Sequence, residues 1–200
     1  MKKENRPMQL LSNLTCGDVY RLEQLAAFSN SVGRDVKRLE VAGELEKVGP
    51  GLYYYPKKSR LGNMPPDERE LVKTFLKSQN FLLLSSNWYN ALGLGLTQLQ
   101  NITSVYNTKR YEKIKLCGRT FDFKRPNNGF PKKITPEFLL VDLVNNIDNI
   151  GEPIETIKNK ISTKLDNFDK EQLAKLATKY GKVGTKKFFL KLLGQDDVYP

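Results

Sequence analysis

Apolar positions recur at helical spacing across residues 31–43. Val32, Val36, Leu39 and Gly43 fall at i, i+4, i+7 and i+11, which puts them on one small, apolar helix face. At about 100° per residue, Arg34, Lys37 and Arg38 fall on the opposite face. Gly43 is the expected helix stop. Two short strand-like runs follow, residues 45–48 and 52–55, separated by Gly49-Pro50-Gly51. Gly on both sides of a Pro is a strong turn signal, so the two runs are expected to form a hairpin. Its exit is basic, with Lys57, Lys58 and Arg60.

The preceding residues extend the pattern. Residues 4–14 predict a first helix, with Met8, Leu11 and Leu14 on one face and Pro7 in its first turn. Thr15-Cys16-Gly17-Asp18 reads as a turn and residues 19–22 as a short extended segment. Residues 23–28 read as a second helix carrying Leu25, Ala26 and Phe28, and Ser29-Asn30 connects it to the third. Helix, short turn, helix, then hairpin is the element order of a winged helix-turn-helix, expected over residues 1–60. A helix followed by a hairpin also occurs in ordinary α+β domains, and a basic outer face is often simply solvated.

Residues 61–66, LGNMPP, hold a Gly, an Asn and two prolines and read as a linker. A second domain is expected over 67–200, mixed α/β to about 150 and helical from 151. Residues 67–78 predict a helix burying Leu71, Val72, Phe75 and Leu76, with acidic residues in its first turn. Residues 81–84 are a fully apolar strand, and 87–94 look helical. Strands are expected at 102–106, 113–116 and 120–124, the last two joined by Cys117-Gly118-Arg119. Phe121 and Phe123 alternate there with Asp122 and Lys124, one packed face against one charged face. Thr135-Pro136 reads as a cap with Pro at the first helical position. Further helices carry Ile154, Ile157, Ile161 and Leu165, then Leu173, Leu176, Ala177 and Tyr180 up to Gly181, then residues 188–193. The fold class expected is therefore mixed α+β.

Composition narrows the function. The chain is 39% hydrophobic and 28% charged, enough for a core in a soluble globular protein. No apolar run approaches a membrane helix, and the N-terminal residues lack the pattern of a signal peptide, so a cytoplasmic protein is expected. Cys16 and Cys117 are the two cysteines, without metal-site spacing, and read as free thiols. There is no histidine, which excludes Ser-His-Asp and Cys-His catalysis and removes the commonest metal ligand. Catalysis by carboxylates such as Glu68, Glu70, Asp122 or Asp142 stays possible. The expectation is no enzyme, no cofactor and no metal. Gly93-Leu94-Gly95 begins like a phosphate loop, but Gln98 stands where the third glycine belongs and no strand precedes it.

The net charge of +11, from 33 basic and 22 acidic residues, favours a polyanionic partner, although the same charge also serves solubility. Arg34 and Arg38 suit bidentate contacts to guanine, and Lys37 suits phosphate. Asn30 and Ser31 lie at the helix start, where backbone N–H groups meet phosphates. Tyr54, Lys57 and Lys58 complete the candidate DNA contacts, although the tyrosines of the second hairpin strand also suit packing against the helices. Residues 109–133 hold nine basic residues against Glu112 and Asp122. Lys109, Arg110, Lys113, Lys115, Arg119, Lys124 and Arg125 are candidates there for a partner-protein or second nucleic-acid surface.

The hairpin and its approach carry a family resemblance. Arg38, Leu39, Gly43, Gly51, Tyr53, Tyr54 and Pro56 match an R-L-x-x-x-G helix end followed by G-x-Y-Y-x-P, and GRTFDFKR at 118–125 looks like the family's later hairpin. Over roughly residues 1–145 the chain resembles the AbiEi family, antitoxins and transcriptional regulators of bacterial type IV toxin–antitoxin systems. The resemblance implies an N-terminal winged helix-turn-helix that binds repeats in double-stranded DNA upstream of its own operon and represses it. It also implies a C-terminal domain that neutralises a nucleotidyltransferase-like toxin of the AbiEii family. The alternative is a protein-binding module that sequesters an acidic partner without sequence-specific DNA binding.

Overall fold

The structure, a computed structural model, describes residues 6–96 and 102–195, with Arg6 and Ser86 described by backbone alone. The expected helix start at Glu4 and the position of Gln98 lie outside the described residues. The fold is mixed α+β. The chain divides into two compact units, one of residues 1–81 with 113–121, the other of 82–112 with 122–200.

The first unit opens with α1 (Arg6–Leu11). Its buried side is Pro7, Leu10 and Leu11, with Leu14 half-buried beyond its end, and Met8, expected on that side, is exposed. These positions are spaced three, one and three, so Leu11 and Leu14 lie on the buried side as expected, while Pro7 and Leu10 take the place of Met8. Strand β1 (Val19–Arg21) leads into α2 (Leu22–Leu25), which tightens into a 3-10 turn at Ala26–Phe28. Then come α3 (Val32–Val41), β2 (Glu46–Gly49) and β3 (Leu52–Tyr54). Both β1 and β2 pair antiparallel with β3, in the order β1-β3-β2, with Tyr53 opposite Tyr20 on one side and Lys47 on the other. Leu10, Leu25, Val36, Leu39, Leu45 and Tyr53 form the core beneath.

Of the stretch expected as linker, two residues are paired. Strands β4 (Lys58–Ser59) and β5 (Gly62–Asn63) form a short antiparallel hairpin. The reason is local: the Ser59 hydroxyl donates to the Gly62 carbonyl at 2.7 Å and accepts from the Leu61 N–H at 3.2 Å, the kind of side-chain turn that Ser favours. Helix α4 (Glu68–Leu76) follows, capped by Asp67 and burying Leu71, Val72, Phe75 and Leu76 as expected. Arg21 reaches its last turn, donating from one guanidinium nitrogen to the carbonyls of Thr74 and Phe75 at 3.2 and 3.1 Å, which satisfies acceptors that the helix leaves open.

The second sheet holds β6 (Phe81–Ser85), β7 (Ile102–Asn107), β8 (Lys113–Leu116) and β9 (Arg119–Lys124), in the order β6-β7-β9-β8. The turn of the β8–β9 hairpin belongs to the first unit. Cys117 N–H donates to the Val48 carbonyl at 2.7 Å, and a Cβ on Gly49 would sit 2.6 Å from the Leu116 side chain.

The second unit is built around α5 (Pro136–Asn145), whose residues Glu137 through Val144 are all buried. A helix buried on every side belongs in the centre of a core. Helices α6 (Ile154–Thr163), α7 (Lys170–Tyr180) and α8 (Val183–Leu192) complete it. Ile157, Ile161, Leu173, Ala177 and Phe189 join the α5 side chains in one cluster. The residues after 151 are therefore part of the same core as α5 and the 3-10 turn at Ser86–Leu92.

Candidate nucleic-acid interface

Helix α3 is started by a side chain from outside it. The Ser29 hydroxyl accepts from the Ser31 N–H at 3.0 Å and donates to the Asp35 carboxylate at 2.6 Å. Asp35 is buried in the first turn, where a negative charge complements the helix dipole. Val36 and Leu39 are buried and Val32 is half-buried, so Arg34, Lys37 and Arg38 stand exposed on the other side. Gly43, with φ +71°, lies just past the helix end, the left-handed position that Gly takes without the Cβ penalty.

The outer face includes one residue the sequence reading passed over. Val41 is 85% exposed and sits seven residues after Arg34 and three after Arg38, on the same stripe. An apolar side chain one turn beyond the arginines is suited to a thymine methyl as they are to guanine. The available signal was the break in period, a valine that matches none of the buried positions.

Asn30 is exposed and Ser31 half-exposed at the helix start, where they line a shallow recess with Gln9, Phe28, Ser29 and Asp35. Lys57 is exposed, with its stem lying over Gly17. Lys58 pairs with Glu44 at 3.1 Å on the surface, and such exposed pairs contribute little.

Tyr54 is a correction. It is 1% exposed, and all three residues of β3 are buried. Alternation places Tyr54 on the face opposite Tyr53, and both faces of β3 are covered. The Tyr54 hydroxyl accepts from the Lys57 N–H at 3.5 Å, and burial pushes its pKa up. It is a core residue and does not reach a phosphate.

The basic stretch 109–133 does not act as one stretch, because the division into units cuts through it. Lys113 and Lys115 are exposed on β8, and Arg119 pairs with Glu68, all within the first unit. Lys109, Arg110 and Arg125 are exposed in the second, where Arg110 meets Glu112 at 3.5 Å. Lys124 is the second correction. Its ammonium is turned to internal partners: the Asn146 side-chain amide oxygen Oδ1 at 3.0 Å, the Ser104 hydroxyl at 3.2 Å and the Asp122 carboxylate at 3.2 Å. It supports β9 and α5 and is not available as a partner contact.

The carboxylates considered for catalysis fall into separate partnerships. Glu68 holds Arg119, Glu70 holds Lys73 at 3.0 Å and Asp122 holds Lys124. Asp142 is buried on α5. It accepts from the hydroxyls of Tyr89 and Tyr106, each at 2.5 Å, and from the Asn146 amide at 3.3 Å. Burial raises the Asp142 carboxyl above the ordinary carboxylate range, against the pull of the two hydroxyls. Burial and the neighbouring carboxylate push both tyrosines upward. The sequence carried no sign of this cluster, whose members come from three distant elements. Among the described residues, no group of three or more His, Cys, Asp or Glu could hold a metal. Cys16 and Cys117 are free thiols. No described helix is long and apolar enough to cross a membrane.

Comparison with known proteins adds a fold and a family. No curated protein matches the chain. The crystal structure of the RV2827C protein from Mycobacterium tuberculosis has a similar fold, with a TM-score of 0.58 and 15% identity. That alignment covers 98% of this chain and 78% of that one. A likeness at that identity speaks for the architecture, and the sequence itself supplies the relationship: the profile described as "Family of unknown function (DUF6088)" matches residues 9–180, and the chain belongs to that family.

Proposed function

We propose that the first unit is a winged helix that reads duplex DNA, with α3 in the major groove. The observation that carries this is the pairing order β1-β3-β2. It joins the strand before α2 to the hairpin after α3, so the helices rest on one small sheet and the Arg34, Lys37, Arg38 and Val41 face is left outward. Recognition helices dock by such a face. Asn30, Ser31, Lys57 and Lys58 supply phosphate contacts around it. The net charge of +11 supports the same reading.

With the resemblance to AbiEi, the fuller proposal is a non-enzymatic, cytoplasmic repressor of its own operon. In it the second unit serves as an antitoxin against a nucleotidyltransferase-like toxin. What supports a non-catalytic second unit is that Asp142 is enclosed and committed to two tyrosines.

The test is fluorescence anisotropy of the full chain on labelled duplex from just upstream of its own gene, with a scrambled duplex as control and salt titrated. Tight binding to the upstream duplex alone at near-physiological salt is the expected result. Equal binding to both duplexes, lost steeply with salt, would reduce the interaction to phosphate attraction and overturn the reading.

A further inference from the structure

The β4–β5 hairpin carries a tip, Arg60-Leu61, for which the α3 reading has no use. It has only four paired residues, yet it is held from several directions. Met64 N–H donates to the Lys57 carbonyl at 2.8 Å, and Ser59 closes the turn. Its flanks are tied to the segment that follows α3. Lys58 reaches Glu44 at 3.1 Å, and the Asn63 amide donates to Glu46 on β2 at 2.6 Å. The main-chain bond and the Ser59 turn shape the hairpin, and the two surface contacts join its base to the segment after α3.

What this built hairpin presents is an unburied leucine. Leu61 is fully exposed, at 101%, beside the exposed Arg60, with Met64 half-exposed behind. A polar residue would serve the turn as well, and a leucine there has no fold-stabilising contact to make. The surroundings are cationic, with Lys57, Lys58 and Arg60. The complementary partner is then a polyanion with an apolar interior that one narrow projection can enter. Stacked base pairs behind two phosphate walls have that chemistry. Apolar wedges enter base steps from the minor groove, and arginines occupy the groove where it is narrow.

We infer that the Arg60–Leu61 tip is a minor-groove wedge. Arg60 lies in the groove, and Leu61 enters one base step and kinks the duplex beside the major groove held by α3. This rests on the duplex-DNA reading above.

The test uses the full chain and a duplex of about 30 base pairs from upstream of its own gene. 2-Aminopurine is placed at successive pyrimidine–purine steps, and a donor–acceptor pair marks the ends. On binding, fluorescence rises several-fold at one step, and the end-to-end distance reports a kink of about 20–90°. Leu61→Ala abolishes both signals, Leu61→Phe keeps them, and melting temperature is unchanged in each because the side chain packs on nothing. Arg60→Ala weakens binding and lowers the salt slope by about one. Sequence-preferring binding by the wild-type chain with no unstacked step, or Leu61→Ala behaving as wild type, overturns the wedge and leaves the DNA reading standing. Absence of any sequence preference overturns both. Loss on Leu61→Ala of attachment to anionic vesicles, with duplex behaviour unchanged, overturns the wedge in favour of a lipid surface.

Discussion

Arg34 and Arg38 lie four residues apart on one exposed stripe, but they need not read the same thing. If each holds a base bidentately, Arg34→Ala and Arg38→Ala each cost about 1–3 kcal/mol and relax preference at one position. Competition binding against single-base variants of the upstream duplex separates base reading from phosphate contact. Uniform loss across all variants would assign that arginine to the backbone, and no loss in either mutant would remove α3 as the reading helix. At the same scale, the buried Asp142 sets a pH dependence. Its carboxyl is held above the unfolded value, about 3.9, so the unfolded chain ionises first. The stability the group contributes at low pH is lost as pH rises from that value through the raised folded one. Tyr106 donates to the carboxylate and opposes the rise. Tyr106→Phe therefore moves the folded value further up, and its destabilisation, about 1–3 kcal/mol near neutral pH, is smaller at acid pH. Denaturant unfolding at about pH 3.5 and about pH 7 measures the difference. Equal losses at both would mean that the hydroxyl does not bond a carboxylate.

At the scale of the element, ordinary signals located nearly every helix and strand, because capping and periodicity are local. Asp67 and Thr135 accept from Glu70 N–H and Phe138 N–H at the helix starts expected of them. The start of α3 is held by a side chain from just outside the helix. Helix α3 lacks a side-chain cap from Ser31 and uses Ser29, which at the same time satisfies buried Asp35. Ser29→Ala removes both bonds and leaves the carboxylate without its hydroxyl donor. The expected loss is about 1–3 kcal/mol of stability, with faster amide exchange confined to the first turn of α3. Unchanged exchange there would show that the backbone alone holds the helix start. Gly181 gives a different lesson. It ends α7 as the sequence indicated, but with φ −68°. The demand there is for space, since a Cβ would meet the Ala177 carbonyl oxygen at 2.3 Å.

For the whole molecule, compactness does not follow chain order. The first unit takes in α4 and the hairpin turn from residues 113–121 as well as the residues expected to form the DNA-binding domain. Leu116 is fully buried in it against Gly49, and Cys117 N–H bonds Val48. Leu116→Ala is therefore expected to cost about 2–5 kcal/mol and to weaken upstream-duplex binding although it lies 75 residues beyond Val41. Unfolding followed at Tyr53, paired with binding at a temperature where the mutant is half unfolded, checks this. A mutant that loses stability while its β1-β3-β2 core melts as before would contradict it. The same continuity bears on the antitoxin proposal, because a chain cut at residue 66 lacks α4 and the arginine-capped contact of Arg21 with it. Neutralisation is better assigned by point substitutions in the full chain, read as rescue of toxin-poisoned cells.

Element types and order, the buried sides of α3 and α4, the outward placement of Arg34, Lys37 and Arg38, and the basic, histidine-free character were set by local sequence. Each depends on spacing within one turn or strand, or on composition alone. Tertiary structure decided what depends on a partner from elsewhere in the chain. Tyr54 went inward because β3 is covered on both sides, and Lys124 turned inward because Asp122, Ser104 and Asn146 meet it there. Tyr89, Tyr106 and Asp142 converged from segments up to 53 residues apart, and the exposed Leu61 acquired meaning only once its hairpin was seen anchored to Glu44 and Glu46. Periodicity reports which side of an element is apolar, but the packing of other elements determines which sides are covered.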